Sequence, residues 1–288
     1  NIPIIIRDNE LIVGSSTIAP RGCQTFPEFS FQWLEDELDT VETRSADPFY
    51  IAEETKQELR EVHKYWKGKT SSELATSYMD PEAIKAIEVG IDTVAELKEK
   101  GYNVFATGEM GIGNTTTSSA VCSVLLDQSV EKVTGKGAGL TNKDLEHKIE
   151  VIKQSIALNQ VDANDPIDVL SKVGGLDIAG MVGCYIGGAA LQVPVFIDGF
   201  ISSVAALIAI RLIPECAPYL FPSHCSNEPA GHLILDAIGK EPYILANMCL
   251  GEGTGAVMGF TIADYAFKAY WELPSFEQTN FGTYEELN

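Results

Sequence analysis

A chain of 288 residues with 45% apolar and 9% aromatic side chains can bury the core of one large or two modest domains. A mean hydropathy near zero excludes a disordered polymer. The 41 acidic against 20 basic side chains leave a net charge of −21, which repels nucleic-acid backbones and anionic membrane surfaces, so neither is an expected partner. A small anionic ligand stays allowed, because backbone N–H groups bind it without a basic surface.

In chain order, the opening NIPIIIRDNE carries no basic leader and no cleavage motif. The six cysteines form no C-x-x-C pair, and several sit in apolar runs as small hydrophobes. A reducing, cytoplasmic setting without a disulfide framework is expected. Residues 1–82 are rich in aromatics with little strand–helix punctuation, and the expectation there is a mostly helical segment. From residue 83 the texture changes to repeated strand, loop and helix. A helical stretch at 82–100 leads into a β-prone run at 103–107. The loop 108–114, GEMGIGN, follows, and then a helix from Thr115. This loop is not the phosphate-binding pattern ending in Lys-Ser/Thr, and it is not G-x-G-x-x-G. Its glycines and the free N–H groups of the next helix suit an anion. The alternative is a tight turn with Asn114 or Thr115 as N-cap.

A second glycine-rich loop, TGKGAG (134–139), precedes an amphipathic helix at 141–158 with Leu145, Ile149, Ile152 and Ile156 on one stripe. That helix carries Lys148, which either neutralises a phosphate or is solvated. Asp165-Pro166 marks a helix start, with the acid as N-cap and Pro at the first position. Residues 178–197 are uncharged and long enough to span a membrane. Gln192 and Pro194 interrupt them, so a buried helix to about Leu191 and a buried strand at 193–197 are expected instead. Asp198-Gly199 then opens a helix to about Leu212, and the Asp198 carboxylate either holds ribose hydroxyls or caps that helix. Further short strands are expected at 219–222 and 243–247. Strands alternating with helices imply an α/β fold: a parallel, Rossmann-like sheet with helices on both faces and ligands beyond the carboxyl ends of the strands.

Two late motifs complete the set. SHCSNEPAGH (223–232) brings His224, Cys225 and His232 near Cys216 in sequence, but the spacing fits no zinc pattern, and no metal is expected. In LGEGTGA (250–256), Glu252 stands between two glycines ahead of an apolar helix. It either caps that helix or serves as a general base in a dry cleft, and these pull its pKa in opposite directions.

Taken together, FATGEMGIGNTT, VTGKGAG, DPIDVLSKVGGLDIAGMVG, VPVFIDGF, SHCSNEPAGH, LGEGTGA and the closing ELPSFEQTNF resemble nicotinate-nucleotide:dimethylbenzimidazole phosphoribosyltransferases over residues 83–288. The resemblance implies transfer of phosphoribose from nicotinate mononucleotide to 5,6-dimethylbenzimidazole, giving α-ribazole phosphate and nicotinate in cobalamin lower-ligand assembly. It implies no cofactor, no metal and a homodimer. It makes Glu252 the general base and puts Glu109 beside the ribose and leaving nicotinate. Gly111, Gly113, Gly137, Lys148, Asp198, Gly199 and Ser226 would surround the mononucleotide, and Leu250 would wall the acceptor pocket.

Residues 1–82 instead resemble the start of a glycyl radical enzyme of the pyruvate formate-lyase type, through ELIVGSSTIAPRGCQTFPEF, LDTVETRSADPFYI and VHKYWKGKTSSELATSYMDPE. Neither the catalytic cysteine region nor the glycyl-radical loop of such enzymes is in that piece, so no radical chemistry is expected and Cys23 has no such role. The transferases complete their acceptor pocket with their own N-terminal region. The alternative reading is therefore a module that binds the mononucleotide and transfers nothing.

Overall fold

The computed structural model describes residues 80–137, 139–274 and 276–279, together with two short strands near the start of the chain. Those strands, β1 (Ile4–Arg7) and β2 (Glu10–Val13), pair antiparallel from Ile4↔Val13 to Arg7↔Glu10. The remainder of residues 1–79, with Cys23 and the expected helical organisation, lies outside the described residues.

From residue 80 the elements follow the expected alternation. Helix α1 (Asp80–Glu99) leads to β3 (Phe105–Ala106), then α2 (Asn114–Leu126) and the single turn α3 (Val130–Val133). Helix α4 (Asn142–Asn159) starts with a capping box in which Thr141 and Asp144 satisfy each other's backbone N–H. Helix α5 (Pro166–Val173) is capped by Asp165, whose carboxylate accepts from the N–H groups of Ile167 and Asp168, as the Asp-Pro pair foretold. The uncharged stretch divides into α6 (Leu176–Ala190) and β4 (Val195–Ile197). No helix among the described residues is long and apolar enough to cross a membrane. Helix α7 (Phe200–Leu212), a 3-10 segment (Pro214–Tyr219), β5 (Leu220–Pro222), β6 (His224–Ser226), α8 (Gly231–Ala237), β7 (Ile244–Met248), α9 (Thr254–Glu272) and α10 (Phe276–Thr279) complete the described chain.

The strands from β3 onward are parallel, but they form two short sheets rather than the one expected: β3-β4-β5 and β6-β7. The break falls at Ser223. Its N–H donates back to Ile197 O at 2.9 Å, while its carbonyl accepts from Ile244 N–H at 3.0 Å. One residue thus closes the first ladder and opens the second. The His224–Ser226 strand was not foreseen, because three residues carry too little periodicity to read.

Successive residues of a strand point to opposite faces. On β4, Val195 lies against Gly188 of α6, and Phe196 lies against Gly259 of α9. Helices therefore cover both faces of this strand. Phe196 also stacks on Phe221 and meets Phe260 edge-on, with centroids 5.6 Å and 4.8 Å apart. The core centres on α6, with Ile178, Ala179, Val182 and Tyr185 fully buried. Helix α1 crosses α6 through glycines. A Cβ on Gly90 would lie 2.0 Å from Gly180 O, and one on Gly183 would lie 1.9 Å from Ile87 O. Only hydrogen at both positions lets the backbones come this close.

Candidate active site

The site forms where the turns after β3, β4, β6 and β7 converge. Thr107, buried just after β3, shares a 2.6 Å hydrogen bond with Tyr185 OH, which fixes the start of the first loop on α6. Gly111 and Gly113 take φ of 77° and 80°, and Gly113 is the N-cap of α2. This corrects the expected cap: Asn114 is already the first helical residue, because the left-handed turn needed before it suits glycine. Freed from capping, Asn114 is buried and donates from Nδ2 to Asp177 Oδ2 at 2.9 Å.

Glu109 lies in this loop, half-buried. Gly111 N–H donates to its Oε2 at a long 3.4 Å. Burial, then the charge of Asp177, push its pKa up to about 7 against a hydrogen bond from the Asn114 side chain. Asp177 was missed in the sequence analysis. The only signal for it was an acid two residues past the Gly174-Gly175 pair, in the first turn of α6.

Glu109 and Glu252 are drawn together by their backbones. Glu252 N–H donates to Glu109 O at 2.8 Å. A Cβ on Gly108 would lie 2.2 Å from Gly253 N. Glu252 itself takes φ 65°, a left-handed conformation costly for a side-chain-bearing residue. Its side chain is exposed, and Gly253 is the N-cap of α9 without side-chain help. Glu252 therefore neither caps α9 nor sits in a dry cleft. It stands at the open rim of the turn, and Leu250 beside it is 61% exposed.

The capping of α9 falls to Asp198, at the end of β4. Its Oδ2 accepts from Gly253 N–H at 3.0 Å, and its Oδ1 accepts from Gly255 and Ala256 N–H at 2.8 Å and 3.2 Å. The expectation that Asp198 caps its own helix is corrected: α7 has Gly199 as N-cap and no side-chain bond there. The α9 end offers three unpaired donors at hydrogen-bond distance and wins the carboxylate. Burial raises the Asp198 pKa, opposed by nearby His224 and these N–H groups. His224 is buried, with Nδ1 3.2 Å from Ser223 Oγ and 3.8 Å from Asp198 Oδ1, and burial lowers its pKa. Gly199 packs on His224 Nε2, and Ser226 Oγ accepts from Glu228 N–H at 3.3 Å.

The second glycine loop meets α2 and α4. Lys148 is 7% exposed, which corrects the solvated reading: it lies on the buried stripe with Ile152. Its Nζ donates to Thr115 Oγ1 at 2.9 Å and to Gly135 O at 3.0 Å. An ammonium has three donors, and two of them are used by these groups among the described residues. Gly137, at φ 54°, packs on Thr115 Oγ1. Burial lowers the Lys148 pKa, opposed by the charge of Glu228. Glu228 lies against Gly135, and its buried Oε2 makes no hydrogen bond. Cys216 is buried in the core and His232 is exposed, so the four residues weighed as metal ligands do not share one environment.

A model of the phosphoribosyltransferase family matches residues 51–281. The chain belongs to this family. The match starts ahead of the division at residue 82 expected from the motifs. Two relatives are the nicotinate-nucleotide–dimethylbenzimidazole phosphoribosyltransferases of Ruminiclostridium cellulolyticum, 54% identical over 206 residues, and of Acetivibrio thermocellus, 53% identical over 204 residues. These alignments cover 72% and 71% of this chain, which spans 58% of the length of each relative. A crystal structure of CobT from Thermus thermophilus superposes with a TM-score of 0.68 at 29% identity, covering 72% of this chain and 62% of that one.

Proposed function

We propose that the chain transfers phosphoribose from nicotinate mononucleotide to 5,6-dimethylbenzimidazole, yielding α-ribazole phosphate and nicotinate. The observation that carries this reading is the direct bonding of the Glu109 turn to the Glu252 turn, with Lys148 anchored on Thr115 at the start of the same helix that follows Glu109. The names and identities of the two relatives support it.

In this reading the phosphate meets the ammonium of Lys148 and the N–H groups of the glycine loops with Gly111, Gly113 and Gly137. Gly199 and Ser226 border the nucleotide. Glu252 accepts the benzimidazole N–H proton while the other ring nitrogen attacks the anomeric carbon from the face opposite nicotinate. Inversion there gives the α-linkage. The electron pair of the breaking C–N bond returns to the pyridinium nitrogen, so nicotinate leaves without needing a proton. Asp198 acts through the backbone: its three bonds hold the turn that aims Glu252.

Incubation with both substrates should yield α-ribazole phosphate, and Glu252→Gln should lower the rate about a hundredfold or more. No product from the parent chain, or equal product from both, rejects the transfer reading. One observation favours the second reading, a module that binds the mononucleotide without transferring it: Glu252 and Leu250 are open to solvent on the acceptor side. Calorimetric binding of the mononucleotide without turnover would select it.

Three further parts of the reading are proposals. A homodimer is supported by the apolar side chains that α9 and β7 expose, including Leu245, Tyr265, Phe267, Tyr270 and Trp271. A reducing, cytoplasmic setting is supported by the free thiols of Cys122, Cys184, Cys216, Cys225 and Cys249. The derivation of residues 1–82 from the start of a glycyl radical enzyme is supported by their motifs alone.

A further inference from the structure

Two buried hydroxyls meet beneath the first loop. Thr107 follows directly after β3, Tyr185 lies within α6, and they are 2% and 0% exposed. Their oxygens are 2.6 Å apart. Each also lies near a backbone carbonyl: Tyr185 OH is 3.0 Å from Ser202 O in the first turn of α7, and Thr107 Oγ1 is 3.3 Å from Phe196 O on β4. Two hydroxyls bring two protons to these three contacts. One proton fills the bond between the hydroxyls, whichever of them donates, and the other goes to one of the carbonyls. With either hydroxyl removed, the remaining one still has its carbonyl to donate to. Folding therefore loses little without the mutual bond, because no buried donor is stranded.

What the bond supplies is position. Thr107 leads straight into Gly108 and Glu109, and those two residues grip the turn of Glu252. A Cβ on Gly108 would lie 2.2 Å from Gly253 N, and one on Gly251 would lie 2.6 Å from Glu109 O. Glu252 N–H donates to Glu109 O at 2.8 Å. From the other side, Asp198 Oδ2 accepts from Gly253 N–H at 3.0 Å. Asp198 lies two residues beyond Phe196, whose carbonyl accepts from Thr107 N–H at 3.0 Å. The left-handed turn of Glu252 is thus clamped between the end of β4 and the residues next to Thr107.

We infer that Tyr185 is a positioning residue for the proton transfer: its hydroxyl holds Thr107, and through Gly108 and Glu109 it sets where the Glu252 turn stands. This rests on the transfer reading above and adds to it a fully buried residue that no substrate touches. Lys148 is anchored separately, on Thr115 and Gly135, so the hydroxyl pair bears on proton abstraction and not on phosphate binding.

The test is a set of full-chain variants followed by turnover with both substrates, calorimetric binding of nicotinate mononucleotide and thermal melting. Tyr185→Phe and Thr107→Val each remove one hydroxyl and keep the shape of the side chain. Each should lower kcat about tenfold while mononucleotide affinity stays within about threefold of the parent's. The double variant breaks the same single bond, so it should turn over no more slowly than either single variant. Thr107→Ser keeps the hydroxyl and should retain the parent's kcat. In a Glu252→Gln background, Tyr185→Phe should slow turnover no further, because the carboxylate it positions is gone. A merely structural tyrosine would lower melting temperature and activity together, and would slow Glu252→Gln as much as the parent. The role is overturned if Tyr185→Phe turns over like the parent, or if its loss persists undiminished in the Glu252→Gln background. A parent chain without turnover overturns the transfer reading and this role with it, whereas parent turnover matched by Tyr185→Phe overturns this role alone. Should Tyr185→Phe fail to fold, equal kcat in Thr107→Val and Thr107→Ser overturns it.

Discussion

The two halves of the site differ in what the chain itself supplies. Around Lys148 a buried ammonium is bonded to Thr115 Oγ1 and Gly135 O, so the chain itself fixes this half. Around Glu252, Leu250, β7 and α9 the side chains stand open, with Leu245 at 74%, Tyr270 at 76% and Trp271 at 76% exposure. A closed half determines its own geometry, because each buried donor or acceptor is costly unless paired. An open half leaves its apolar area to be covered by something else. The chain spans 58% of the length of each of the two relatives named above.

Four substitutions break or sharpen this contrast. The largest effect is expected in the closed half. Lys148→Ala removes a buried charge-assisted donor and should weaken mononucleotide binding about ten- to a hundredfold by calorimetry. Unchanged affinity would mean that the closed half is not the phosphate site. Next is the glycine crossing beneath the site. Gly183→Ala pushes a methyl into Ile87 O and should cost about 1–3 kcal/mol in denaturant melts.

A smaller, pH-dependent effect belongs to Glu109. Its folded-state pKa is raised from 4.5 to about 7, so the folded chain holds a proton that the unfolded chain releases earlier. The parent should match Glu109→Gln in stability below about 4.5, fall behind it as pH rises, and stay at a constant deficit above about 7. Melting temperatures across that range check the sign. A gap that opens in the opposite direction would place the carboxyl in an ionised, stabilised state. The smallest effect is expected in the open half. Leu245→Ser should change the stability of the chain by less than about 0.5 kcal/mol, because the side chain is already mostly in water.

What the sequence made legible follows the same division between local and distant interactions. The α5 start was readable because Asp165 and Pro166 act within one turn. The α4 stripe was readable because Ile149 and Ile152 recur at helical spacing, and the split of residues 178–197 followed from Gln192 and Pro194. The turn glycines were legible as turns, but not the identity of the cap, which depended on whether Asn114 was free or held by Asp177, 63 residues away. Asp198 reaches across 55 residues to Gly253, and nothing near it in sequence announces that partner. The two-sheet break at Ser223 depends on Ile197 and Ile244 arriving from either side. Glu252 lay between two local alternatives, and the actual one, an exposed residue in a strained turn pinned from outside, belongs to tertiary structure.

The most direct measurement is a crystal structure of the full chain grown with nicotinate mononucleotide. The account expects the phosphate within hydrogen-bond distance of Lys148 Nζ and the Gly135–Gly137 loop, with the ribose between the turns of Glu109 and Glu252. A nucleotide bound on any other face, or a phosphate remote from Lys148, would contradict it.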